Sequence, residues 1–140
     1  MSGPSLRKQD SHSSIHEAAL HEAKELRELF RKCLEDGEKE KALQVAEVAI
    51  EHWESRTLKH AEAEEEGLYQ DILKEKPELE KLVNQLTRDH DLMRRIVENI
   101  KMRLATQEPD YNMITLLDSL VIIDEIHNED EMNKLLANSK

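Results

Sequence analysis

Two stretches of this sequence pair a histidine with a glutamate four residues on: His60 with Glu64 in "LKHAEAEEEGLY", and His127 with Glu131 in "HNEDEMNKLL". On an α-helix a four-residue step stacks both side chains on one face, so each pair can point at one centre. Imidazole nitrogen and carboxylate oxygen are ligands of zinc- and iron-class ions. His16 and His90 bring the set to four imidazoles and two carboxylates. Six ligands exceed the four of a tetrahedral zinc; they suit two iron-class ions bridged by the glutamates, with positions open for a small ligand. A single histidine on a helix is more often a surface or satisfied core residue than a ligand. The elements carrying these residues must therefore bring them together.

Hydrophobic periodicity supplies those elements. Residues 1–11 open with a Gly-Pro pair in a polar stretch and read as a flexible arm, and residues 12–140 read as one domain. Ser14 followed by Glu17 resembles a capping box opening the first helix, with Ala19, Ala23, Leu26, Phe30 and Cys33 on its inner stripe. Gly37 suits the left-handed position that ends it. A long second helix from about Glu38 to Leu73 carries Leu43, Ala46, Ile50, Trp53 and Thr57 inward, with a kink as one option. Pro77 fits the first turn of a third helix, whose stripe runs through Leu79, Leu82, Val83, Leu86, Met93, Val97 and Ile100. Pro109 bars continuation, Asp110 offers a cap, and a fourth helix spans about Tyr111 to Ala137. Four amphipathic helices with short connections predict an all-α, up-down-up-down four-helix bundle with a di-metal site between the helices.

In such a bundle, residues equally far from a turn lie at one height. His16 is 21 residues before Gly37 and His60 is 23 after it, a mismatch of about 3 Å at the helical rise. His60 is 16 before Lys76 and His90 is 14 after; His90 is 18 before Glu108 and His127 is 19 after. One histidine per helix thus converges on one layer, and buried imidazoles without partners are costly. His21 lies about 10 Å off the layer and has turned away from the His16 face, so it reads as surface. His52 is off the layer by eight residues. Substituting either should neither strip metal nor lower stability. His12 shares the His16 face one turn earlier, placing it at the mouth of the site or in the frayed helix start.

Composition removes other classes. The formal net charge of −11 repels nucleic acid and anionic membrane. Cys33 is alone, so one chain makes no disulfide and no cysteine-based zinc or iron–sulfur site. No apolar run reaches the roughly 18 residues of a membrane span, and no signal-peptide core follows Met1, which gives a cytoplasmic reading. A ferritin-like site needs Glu-x-x-His twice, and only Asp124-x-x-His127 is present. No organic-substrate cleft, nucleophile–base pair or phosphate loop is evident, so binding or sensing is expected rather than conventional enzyme turnover. The competing reading is a metal-free helical interaction or regulatory module with a polar core layer.

The segments "HAEAEEEGLY", "TRDHDLMRRI" and "HNEDEMNKLL" resemble the second-, third- and fourth-helix signatures of the hemerythrin-like, or HHE cation-binding, family over residues 12–136. The resemblance implies a four-helix bundle around a non-haem centre of two iron ions, held by His16, His60, Glu64, His90, His127 and Glu131. Zinc or manganese are possible substitutes. It further implies binding or sensing of oxygen or nitric oxide, iron handling, or a response to oxidative or nitrosative stress. The ligand pattern is nearest to the repair of iron centres proteins, although their cysteine-bearing N-terminal segment is absent. Oxygen-carrying hemerythrins place two histidines on the third helix; here Leu86 and Arg94 flank His90 at four residues to either side. One ion is therefore expected to be poorer in nitrogen ligands than in an oxygen carrier.

Overall fold

The computed structural model describes the backbone of residues 9–139 and the side chains of residues 11–139. Helix α1, Gln9–Glu35, begins well before Ser14. Ser14 and Glu17 therefore lie inside the helix rather than capping it, and Ser13 Oγ donates to Glu17 instead. The reason is tertiary: His12 and His16 sit on one face and both are buried, so packing extends the helix through a polar stretch that local propensity would leave frayed. Of the expected N-terminal arm, residues 1–8 lie outside the described residues, and residues 9–11 are helical.

Gly37 adopts φ 71°, and Glu38 N–H donates to the Cys33 carbonyl at 2.9 Å. That bond and the left-handed glycine form the Schellman end the sequence predicts. Helix α2 covers residues 39–75 and carries two π-helical segments, Trp53–Leu58 and Glu64–Leu68. A 3₁₀ turn, Pro77–Leu79, leads into α3, Glu80–Thr106. Helix α4 covers residues 111–136; its first turn is capped by Asp110, which accepts from Met113 N–H at 3.2 Å, and it ends in a third π segment, Glu131–Leu136. Each helix packs on the next and α1 packs on α4, closing a four-helix bundle.

Two apolar clusters fill the bundle. Phe30, Trp53, Met93 and Leu120 belong to one; Leu68, Ile72, Leu86 and Leu135 belong to the other. On α2, α3 and α4 the histidines fall between residues of the two clusters, so a polar layer divides an otherwise apolar core. Glu64 and Glu131 each open a π segment. Bonding from residue i to i+5 brings the fifth residue round beneath the first, so Glu64 and Tyr69 both face inward, as do Glu131 and Leu136. The long second helix resolves its phase by π turns. No helix of the described residues is long and apolar enough to cross a membrane.

Candidate metal centre

All six sequence-predicted residues meet in the polar layer, and His12 joins them. His16 and His60 have ring centroids 4.9 Å apart, and His90 and His127 4.5 Å. His12 stacks on His16 at 4.4 Å and is fully buried, so it belongs to the cluster rather than to a frayed start. The donor atoms sort into two groups, each with all its atoms within 4.8 Å of one another: His12, His16, His60 and Glu64, then Glu64, His90, His127 and Glu131.

The glutamates divide their oxygens between these groups. Glu64 Oε2 lies 3.1 Å from His12 Nε2 and 3.5 Å from His60 Nε2, while its Oε1 lies 3.3 Å from His90 Nε2. Glu131 Oε1 contacts His12 Nε2 and lies 3.4 Å from His16 Nε2; its Oε2 lies 3.3 Å from His127 Nε2. Both carboxylates therefore bridge. Three imidazoles face one side of the pair and two face the other.

Orientation distinguishes a metal-ready cluster from an ordinary hydrogen-bonded layer. His16 Nε2, His60 Nε2 and both Glu64 oxygens are buried without a hydrogen-bond partner of proper alignment among the described residues. Buried polar atoms left without partners are costly unless a cation sits among them. His90 Nε2 and His127 Nε2 lie 3.1 Å apart, the separation of two nitrogens each about 2.1 Å from one ion at a right angle. Their far nitrogens are held: His90 Nδ1 donates to Glu65 at 2.7 Å and His127 Nδ1 to Asp89 at 3.0 Å. Those bonds fix the tautomer that leaves each Nε2 free to ligate. The residues fit a pair of metal ions.

Electrostatics carry the same message. Burial would lower the His12 pKa, yet the Glu131 and Glu64 carboxylates beside it raise it to about 10. Burial likewise opposes charge on His127, and Asp89 and Glu131 carry it up to about 10. Burial would raise Glu131, but His12, His127 and His16 hold it well below the usual carboxylate range; Glu64 is lowered in the same way by His12, His60 and His90 against burial and against Glu131. Without a cation, protons on the imidazoles balance the buried carboxylates, and a bound metal displaces them.

Sequence reasoning missed several neighbours. Tyr69 donates its hydroxyl to Glu131 Oε2 and stacks on His90 with centroids 5.8 Å apart; burial, then the charges of Glu131 and Glu64, push its pKa well above the usual phenol value. Its position five residues after Glu64 faces inward only because of the π turn. Glu65 and Asp89 adjoin predicted ligands in sequence, but which ring each serves is a cross-helix matter. Asp124 is 2 % exposed, and burial raises its pKa. His21 is exposed and pairs with Glu25 on the surface, away from the layer as expected. His52 departs from expectation: it is off the layer but buried, and its Nε2 donates to the Ala19 carbonyl at 2.8 Å, tying α2 to α1. A cavity of about 510 Å³ opens beside α1 and α2 and runs into the layer, with His16, His60, Glu64, His90 and His127 on its lining. The π segment Trp53–Leu58 supplies part of its wall.

No curated protein and no solved structure matches the chain. The model of the hemerythrin HHE cation-binding domain matches residues 14–137, a span containing all six predicted ligands and both bridging glutamates. With that match over nearly the whole chain and two His/Glu clusters of metal-ligating geometry, the protein belongs to the hemerythrin HHE cation-binding domain family.

Proposed function

We propose that the layer holds two metal ions, iron by preference, and that the centre takes a small diatomic ligand, oxygen or nitric oxide. The observation carrying this reading is the division of each glutamate's two oxygens between two imidazole groups. One ion would draw on His12, His16 and His60, the other on His90 and His127, with Glu64 and Glu131 shared. A mixed imidazole and carboxylate set suits iron, and zinc or manganese can occupy it when supply dictates. A reduced iron pair with an open position supplies the electrons and the coordination site that a diatomic needs.

The second group offers fewer donors, so the vacancies concentrate there. His12 compensates in number for the single third-helix histidine, and the imidazoles remain unequally shared between the two groups. The chain's own residues orient the ligands through Glu65, Asp89 and Tyr69, and buried leucines and Met93 flank the layer. Such a centre suits sensing or scavenging of oxygen or nitric oxide, or iron handling under oxidative or nitrosative stress, in the cytoplasm.

Elemental analysis after iron reconstitution tests the first half, with two irons per chain expected. Less than one per chain returns the protein to the reading of a metal-free helical module. Stopped-flow absorbance of the reduced protein mixed with oxygen, and separately with nitric oxide, tests the second half. Rapid spectral change with at least one gas is expected; inertness to both overturns it.

A further inference from the structure

We propose a second ligand site, for a small neutral organic molecule bearing a hydroxyl group, in the outer part of the cavity that lies beside α1 and α2 and opens at its inner end onto the metal layer, at His16, His60, Glu64, His90 and His127. The cavity measures about 510 Å³. A single water takes a share of only about 30 Å³ in the liquid, and small-molecule sites run from roughly 300 to 1,000 Å³. Two metal ions would fill only a small part of this space at its inner end, and a passage serving only a diatomic has no need of the rest.

The lining gives the ligand's chemistry. Ile15, Ala18, Ala19 and Met93 present apolar wall. Besides the metal-facing atoms of His16, His60 and Glu64, two polar atoms on that lining have no hydrogen-bond partner among the described residues: Asp124 Oδ1, on a side chain 2 % exposed, and Thr57 Oγ1. A buried oxygen left so is costly, and a ligand that satisfies it gains accordingly. A hydroxyl both donates and accepts, so it complements the threonine and the carboxyl in either protonation state. A carboxylate ligand would meet Glu64 and Asp124 on the same lining, whereas an ammonium would meet Arg56 and Lys59. Neutrality avoids both. A molecule bound here stands between solvent and the imidazoles, so its occupancy controls access to the centre.

The test uses iron-reconstituted protein whose iron is counted separately. Ligand-observed NMR titrations compare benzyl alcohol, toluene, benzoate and benzylamine, which share a ring and differ in the polar group. Benzyl alcohol is expected to bind about tenfold tighter than toluene, the worth of one buried hydrogen bond. Benzoate and benzylamine are expected to bind no tighter than toluene. Ala18 is exposed at the cavity's edge, and Ala18→Phe should block uptake of benzyl alcohol while leaving the iron count unchanged. Asp124→Leu should bring alcohol and toluene to within about twofold of each other. Thr57→Val reads the same preference should the Asp124 variant fail to fold. Failure of all four probes to bind would mean that the cavity holds only water and would overturn the proposal. So would benzoate binding tightest, or benzyl alcohol binding that survives Ala18→Phe. Iron below one per chain with alcohol binding retained would sink the metal reading and leave this one standing.

Discussion

Replacing His12 by asparagine is the sharpest perturbation of the layer, because sequence left this residue undecided and the structure places it between both glutamates. The metal-free protein isolates the electrostatic part. Burial opposes the charge on His12, and Glu131 and Glu64 more than offset it, moving the pKa from 6.5 to about 10. Integrated to pH 7, a shift of that size is an upper bound of about 4 kcal/mol of stability. His16 and His127 contact the same Glu131 and recover part of the lost pairing, so a loss of roughly 2–4 kcal/mol is expected. In a chain of this length that lowers Tm by roughly 10 °C. The sign with pH follows from a raised histidine pKa. The stabilisation is fully present below pH 6.5 and is lost as pH rises through about 10, so wild type and variant converge in alkali. Denaturant melts of metal-free protein at pH 6, 7 and 10 read this directly. In the reconstituted protein the variant keeps two imidazoles on each side of the glutamates, so it should still take up iron but lose it faster than wild type to a competing chelator. Equal stability at pH 6 together with unchanged iron retention against chelator would refute the assignment of His12 to the cluster.

Glu131→Gln removes a bridge that serves both groups, so elemental analysis should show loss of both ions rather than one. Glu65→Ala and Asp89→Ala release the far nitrogens of His90 and His127; each should weaken metal binding about 10- to 100-fold in chelator competition while the fold persists by circular dichroism. His52→Ala should cost about 1–3 kcal/mol in a denaturant melt, because the Ala19 carbonyl loses its donor, yet leave the iron count unchanged. His21→Ala should change neither quantity, since that side chain lies on the surface.

The sequence by itself determined the bundle and most of the layer. Apolar stripes at three- and four-residue steps, Gly37, Pro77, and the Pro109–Asp110 break fixed four helices and their turns, because these signals act within a few residues of chain. Helical rise then placed His16, His60, His90 and His127 at one height, and the four-residue step placed Glu64 and Glu131 beside them. Tertiary structure alone decided what depends on exact helix phase and on contacts between helices. His12 became part of the cluster because packing against α2 and α4 holds the start of α1 helical, which local capping signals argued against. Tyr69 turned inward because Glu64 opens a π turn, a change of one residue in register that side-chain periodicity does not encode. Glu65 and Asp89 found rings on the neighbouring helix, and His52 found a carbonyl on α1, through distances that no spacing along one helix reports. The cavity beside α1 and α2 is of the same kind: it is a gap between elements, set by how far apart their backbones lie, and a string of residues carries no measure of that distance.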